Sequence, residues 1–207
     1  MPAHYFITGI STDVGKSIAA AMITEALEAD YWKPVQAGDL DNSDTHKVER
    51  LVSNSRTTFH KNSYALNSPM SPHAAAEIDS VKIDLKKIKR PETNRDLVIE
   101  GAGGLLVPLN NKSTILDLIE KDDCVILVSR HYLGSINHTL LSIEMLRSRG
   151  IENIKIIFSG DEHQSTEQAI QDHSGIEVLG RIEQEPYFDK NVVLEYAEKW
   201  REKLCKK

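Results

Sequence analysis

Gly9-Ile10-Ser11-Thr12-Asp13-Val14-Gly15-Lys16-Ser17 follows directly on the apolar run Tyr5-Phe6-Ile7 and opens a helical pattern that runs from Lys16 to Glu28. Strand, glycine-bounded loop and helix in that order make a phosphate-binding turn. Backbone N–H groups wrap an anion only where no Cβ intrudes, and the helix that follows presents its positive end to the same point. Lys16 then reaches the terminal phosphates, and the Ser17 hydroxyl offers an oxygen to Mg²⁺. The general pattern has four residues between its glycines, whereas here the first glycine falls one residue early. The placement between strand and helix outweighs that departure, and nucleotide binding is the starting expectation.

Outward from this loop, β-rich runs recur at Tyr31 to Val35, Leu97 to Glu100, Cys124 to Ser129, Ile154 to Phe158 and Val178 to Ile182, after the first at Tyr5 to Thr8. They do not alternate in polarity, which suits strands buried on both faces of a parallel sheet. Thr114 to Glu120, Asn137 to Arg149, Thr166 to His173 and the amphipathic Asn191 to Lys203 read as helices between and after them. Alternating strand and helix predict an α/β fold, a mainly parallel sheet with helices on both faces, of P-loop NTPase type, with ligands at the carboxyl ends of the strands. The stretch Thr57 to Arg95, with Pro69, Pro72 and Pro91, is the least regular and reads as a helix-containing excursion over the site.

A chain of 207 residues, 40% hydrophobic and 27% charged, builds one substantial core, so residues 1–207 are expected to form a single domain. A net charge of −6 without a basic block longer than Lys206-Lys207 argues against a nucleic-acid partner. No apolar stretch approaches the roughly 20 residues of a membrane span, and no signal-peptide pattern opens the chain, so a cytoplasmic location is expected. Cys124 reads as a buried core thiol and Cys205 as a surface one, without metal-ligand spacing. The histidines, among them His4, His46, His60, His131 and His163, lack the paired spacing of a zinc site.

Four further segments carry chemistry. Lys33-Pro34-Val35-Gln36-Ala37-Gly38 closes the second strand on a lysine in an apolar setting, costly unless an anion meets it, although a lysine snorkelling off a strand end is an equal reading. In Asn42-Ser43-Asp44, Asp44 is either a Mg²⁺ ligand beside Ser17 or part of a helix cap. Glu100-Gly101-Ala102-Gly103-Gly104 stands a carboxylate at a strand mouth, able to hold Mg²⁺ or its water, before glycines that let phosphate or substrate approach. Leu133-Gly134-Ser135-Ile136-Asn137-His138 opens a helix whose free N–H groups suit a carboxylate, or is simply a start capped by Ser135.

Together, Thr8-Gly9 with Thr12 to Ser17, Lys33-Pro34-Val35, Asn42-Ser43-Asp44, Ser71-Pro72-His73, Glu100 to Gly104 and Leu133-Gly134 with Ile136-Asn137-His138 resemble the dethiobiotin synthetases up to about Ile182. The resemblance implies an ATP- and Mg²⁺-dependent closure of 7,8-diaminononanoate with CO₂ to a cyclic urea, through a carbamate and a carbamic-phosphoric anhydride, in a homodimer. It implies catalytic roles for Lys33, Lys16 and Thr12, and nucleotide contacts from Asp13, Val14, Gly15, Lys16, Ser17, Ile18, Asp44, Glu100, Gly101, Ala102, Gly103 and Gly160. It further implies Mg²⁺ ligation by Ser17, Asp44 and Glu100, and substrate contacts from Ala37, Gly104, Gly134, Ser135 and Asn137, with the Gly134 to Asn137 helix start serving the other subunit. Two departures stand out. Ala37 replaces the usual hydroxyl residue, and Ser159-Gly160-Asp161 replaces an Ala-Asn-Asp run that reads adenine, while Glu183-Gln184-Glu185 departs from an Ile-Pro pattern. Relaxed base selectivity that admits GTP is the expectation, because Gly160 has no amide to pair with a base edge.

The competing readings are a dimeric switch ATPase of the partition or division-site class and a silent nucleotide binder. The switch proteins carry an extra early lysine that Ile10-Ser11-Thr12 lacks, and in that reading the terminal helix, with Val192, Val193, Tyr196 and Trp200 apolar, would lie on a membrane surface.

Overall fold

A computed structural model describes residues 2–205, with side chains through Leu204; Lys206, Lys207 and the side chain of Cys205 lie outside the described set. Seven strands form one parallel sheet in the order β4-β2-β6-β1-β7-β8-β9. β1 is His4–Gly9, β2 Asp30–Trp32, β3 Val35–Ala37, β4 Phe59–His60, β5 Tyr64–Leu66, β6 Leu97–Glu100, β7 Cys124–Arg130, β8 Ile154–Ser159 and β9 Glu177–Ile182. Every strand of β1, β2, β6, β7 and β8 has at least one residue fully sealed from water, as the unbroken Val, Ile and Leu runs require. Because all seven run the same way, all their carboxyl ends lie along one edge.

Helices cover both faces. α1 (Lys16–Leu27) and α6 (Lys190–Cys205) pack against each other on one side, where Ile7, Val98 and Ile126 of the sheet meet Met22 and Trp200. α4 (Ser135–Ser148) and α5 (Gln164–Ser174) pair on the other, over Phe6, Val125 and Phe158. Among them, α1 carries alanines at 19, 20 and 21 without any exposure, which lets it sit close to the sheet. Gly180 has a comparable task in β9, because a Cβ there would stand 2.3 Å from Trp200 Nε1.

Three expectations need correction. Tyr31 to Val35 is not one strand: Pro34 has no N–H for a central ladder, so the chain leaves the main sheet after Trp32 and resumes as β3, which pairs with β5 in a separate two-stranded sheet. Thr114 to Glu120 is not an α-helix but a 3₁₀ turn, Ile115–Leu118, closed by a reciprocal cap between Thr114 and Asp117. The helix expected from Asn137 begins at Ser135, and its cap is Gly134 in the left-handed region (φ 104°), so Ser135 is not the cap. The excursion at 57–95 does hold a helix, α3 (Pro72–Ile78), with β4 and β5. Cys124 is buried, and burial pushes its thiol up to about 11. The apolar face of α6 is docked on the body of the protein, with Val193, Tyr196, Ala197 and Trp200 all buried, which removes the surface a membrane-lying helix needs; among the described residues no helix is long and apolar enough to cross a membrane.

Candidate functional site

The loop from Gly9 to Ser17 bends sharply because Asp13 (φ 56°) and Gly15 (φ 96°) both take left-handed backbone. Gly9 is forced by packing: a Cβ there would stand 2.6 Å from Val14 Cγ2. Arg130, at the end of β7, donates to the Asp13 carbonyl at 3.2 Å and ties the loop tip to the sheet. Lys16 folds back over the loop and donates to the Ser11 carbonyl at 2.8 Å. Burial, then the nearby Lys33 charge, lower its pKa to about 8 against the pull of Glu100, Asp44 and Asp13.

Strand order brings the other groups to this loop. β2 and β1 both flank β6, so Lys33 after β2 and Ser17 after β1 approach Glu100 from opposite sides. Lys33 Nζ lies 3.0 Å from Glu100 Oε1 and 2.7 Å from Asp44 Oδ2 and donates to the Gly101 carbonyl at 3.1 Å. Ser17 Oγ donates to the same Glu100 Oε1 at 2.9 Å. Burial disfavours the Lys33 ammonium, and the Glu100 and Asp44 carboxylates overcome it, so its pKa stands above the ordinary value. For Asp44, burial is likewise outweighed by Lys33 and then Lys47, and its carboxyl is held below its ordinary range. Lysine 33 is therefore not snorkelling: only 3% of it is exposed.

Asp44 begins α2 (Asp44–Leu51), but the cap is Ser43, whose hydroxyl accepts from the His46 amide. The carboxylate of Asp44 is thus free of capping duty and points to Lys33 and to Lys47, 3.3 Å away. Its backbone amide donates to Gln36 Oε1 at 3.2 Å, a contact that sequence reasoning missed. The two carboxylates around the Lys33 ammonium, with the Ser17 hydroxyl bonded to one of them, are the hard oxygen donors that Mg²⁺ takes, and the positive charge of Lys33 already sits between the carboxylates.

An open cleft of about 1400 Å³ runs along this edge. Thr12, Asp13, Gly15, Lys16, Ser17, Ile18, Lys33, Ala37, Asp44, Glu100, Ala102 and Gly103 line it, as do Lys47, Arg50, Phe188 and Lys190, which the sequence did not single out. Val14 and Gly101 are buried behind it. A second cleft of about 570 Å³ adjoins, where Thr12, Gly103 and Gly104 meet Leu106, Leu141 and Met145. Gly134, Ser135, Asn137 and Gly160 line neither cleft. Gly160 follows β8 with φ 91°, and a Cβ there would find no atom within 4 Å. Elsewhere His4, Glu120 and Asp123 lie close enough to hold a metal, but Arg90 fills their centre, bonding both Asp123 oxygens at 2.6 and 2.7 Å and Glu120 at 3.2 Å.

Comparison with known proteins agrees with this geometry. Residues 3–192 match a family model described as an AAA domain. An ATP-dependent dethiobiotin synthetase of Christiangramia forsetii is 69% identical over 99% of each chain, and one of Cytophaga hutchinsonii 48% identical over 94% of this chain and 95% of its own. Among solved structures, a plasmid partition protein of Borrelia burgdorferi superposes with a TM-score of 0.60 at 15% identity, over 97% of each chain. The cell division ATPase MinD of Pyrococcus furiosus gives 0.55 at 13%, over 99% of this chain and 100% of its own. At that distance the partition and division proteins share the fold alone, whereas the sequence relatives match over nearly the whole length of both chains, and the chain belongs to the ATP-dependent dethiobiotin synthetase family.

Proposed function

We propose that this protein joins 7,8-diaminononanoate and CO₂ into dethiobiotin at the expense of ATP. One amine captures CO₂ as a carbamate. A carbamate oxygen attacks the γ-phosphorus, giving the carbamic-phosphoric anhydride and ADP, and the second amine closes the ring on the carbonyl as phosphate leaves. The observation that carries this reading is the meeting of Lys16, Lys33, Ser17, Asp44 and Glu100 on one cleft. Lys16 holds the β- and γ-phosphates, Lys33 neutralises the carbamate and the transferred phosphoryl oxygens, and Thr12 lines the loop between them. Positioning and charge control supply the catalysis. Mg²⁺, when bound by Ser17, Asp44 and Glu100, supplies further neutralisation of nucleotide oxygens.

The aliphatic chain of the diamine suits the smaller cleft, whose walls include Leu106, Val107, Leu141 and Met145. Gly104 and Ala37 border the substrate, with water or backbone in place of the hydroxyl that Ala37 lacks. Since Gly134, Ser135 and Asn137 stand outside their own chain's clefts, we assign them to the substrate carboxylate of a second subunit in a cytoplasmic homodimer. At the base end Gly160 offers no side chain, and acceptance of GTP beside ATP follows.

Incubation with 7,8-diaminononanoate, bicarbonate, Mg²⁺ and, separately, ATP, GTP and CTP tests all of this, with phosphate release and dethiobiotin mass followed together. Product in step with phosphate, with GTP active, is the expected result. Hydrolysis without the diamine points instead to a switch ATPase, and activity with ATP alone removes the relaxed base selectivity.

A further inference from the structure

Tyr31 in β2 and Lys33 just after it are two positions apart along the extended chain, so their side chains fall on the same face, while Trp32 turns to the other. Tyr31 pairs with Val98 and Trp32 with Ile99, which carries the next residue to the level of Glu100. Both same-face side chains reach that carboxylate, on different oxygens. Lys33 and Ser17 use Oε1, whereas Tyr31 Oη donates to Oε2 at 2.8 Å. Tyr31 has no exposure and Glu100 only 1%, so Oε2 faces the interior and needs a donor there to keep its charge at low cost. The ring alone, packed at 5.9 Å from Phe59, would be served as well by phenylalanine. The terminal torsion of a glutamate is broad and roughly two-fold, so a donor fixed on a strand decides which oxygen turns toward the cleft.

We propose that Tyr31 is the positioning residue of the nucleotide site: by holding Oε2, it presents Glu100 Oε1 to the Mg²⁺–nucleotide and so sets the strength with which the enzyme uses its divalent metal. The proposal rests on the assignment of Glu100 as a metal ligand made above.

The test is nucleotide binding by calorimetry, with Mg²⁺ and with EDTA, for the wild type, Tyr31→Phe, Glu100→Gln and the double variant. In the wild type Mg²⁺ tightens ATP binding. Tyr31→Phe is expected to lose about tenfold to a hundredfold of that Mg²⁺-dependent gain, the worth of one hydrogen bond to a charged group, with EDTA affinity within about twofold. In turnover, its Mg²⁺ half-saturation rises by the same factor. In the Glu100→Gln background the tyrosine substitution changes the gain no further. An undiminished gain in Tyr31→Phe, or equal losses with and without Mg²⁺, overturns the positioning role while leaving the metal assignment standing. No gain in the wild type overturns both. The double variant leaves no buried charge without its donor, so it serves if Tyr31→Phe alone does not fold, and a gain below that of Glu100→Gln then counts against the proposal.

Discussion

Lys33 and Lys16 face the same cleft and solve opposite problems. Lys33 is enclosed by Glu100 and Asp44, so its charge is balanced by the protein and its pKa stands above 10.5. Among the described residues Lys16 has only the Ser11 carbonyl as hydrogen-bond partner, and its pKa falls to about 8, which suits the role proposed above of meeting a phosphate. Removing Lys33 should therefore hurt twice. Lys33→Met keeps the volume but leaves the buried Glu100 and the half-buried Asp44 unneutralised, and a lowering of unfolding free energy by about 3 kcal/mol is expected, as for other broken buried pairs. Urea unfolding measures it, and Mg²⁺ should restore part of the loss by taking over the neutralisation. The same variant should lose dethiobiotin formation while still binding ATP. Stability equal to the wild type with and without Mg²⁺ would show that the triad is not an electrostatic unit.

At the level of elements, the local pattern of the chain carries most of the alternation but not its joints. The phosphate loop, Glu100 at a strand mouth and Asp44 at a helix start are legible because each sits at a change of period or a glycine run. That Lys33 is pinned between the two carboxylates is not legible, since it needs β2 beside β6, a neighbourhood written in no local pattern. The role of Tyr31 is hidden because a tyrosine in a β-rich run reads as core, although its two-residue spacing to Lys33 puts both on one face. Pro34 carries a signal too, since a residue without an N–H marks the point where the chain leaves the sheet. Another such joint holds α5 to β7 and β9: Glu167 accepts from Arg181 on β9 through both oxygens, pairs with His131 at 2.8 Å, and accepts from the His163 amide at 3.2 Å. Burial opposes the Glu167 charge, and the Arg181 and His131 hydrogen bonds outweigh it, so its carboxyl titrates below the ordinary 4.5. A depressed carboxyl stabilises in full above its unfolded value, and the contribution is lost as pH falls from there through the folded value. Glu167→Gln should thus cost about 2 kcal/mol at neutral pH and converge with the wild type as pH falls below 4.5 and through the folded value. Unfolding curves across that range decide it, and a cost that does not change with pH would assign the loss to packing.

The molecule as a whole leaves one face unfinished. Leu133 is fully exposed at 105%, and Leu141, Leu106 and Tyr132 are exposed at 59%, 59% and 40%, all around the start of α4 and the rim of the smaller cleft. Large apolar side chains gathered in this way mark an interaction surface rather than scattered exposure, and the residues assigned to the substrate carboxylate lie in the same segment. A second copy of the chain meeting this face would both cover the leucines and bring its Gly134, Ser135 and Asn137 to the neighbouring cleft, so that association and activity stand or fall together. Leu133→Asp places a charge in that contact while leaving the walls of both clefts unchanged, and an unpaired buried charge costs several kcal/mol. Sedimentation velocity should show the wild type as a dimer and this variant as a monomer. The variant should retain ATP binding, because the phosphate loop and its lysines belong to a single chain, but lose dethiobiotin formation by about a hundredfold or more, as expected when one oriented substrate contact is withdrawn from a reaction that depends on alignment. A monomeric variant with full synthetase activity would mean that each chain completes its own site and that the apolar face serves something else.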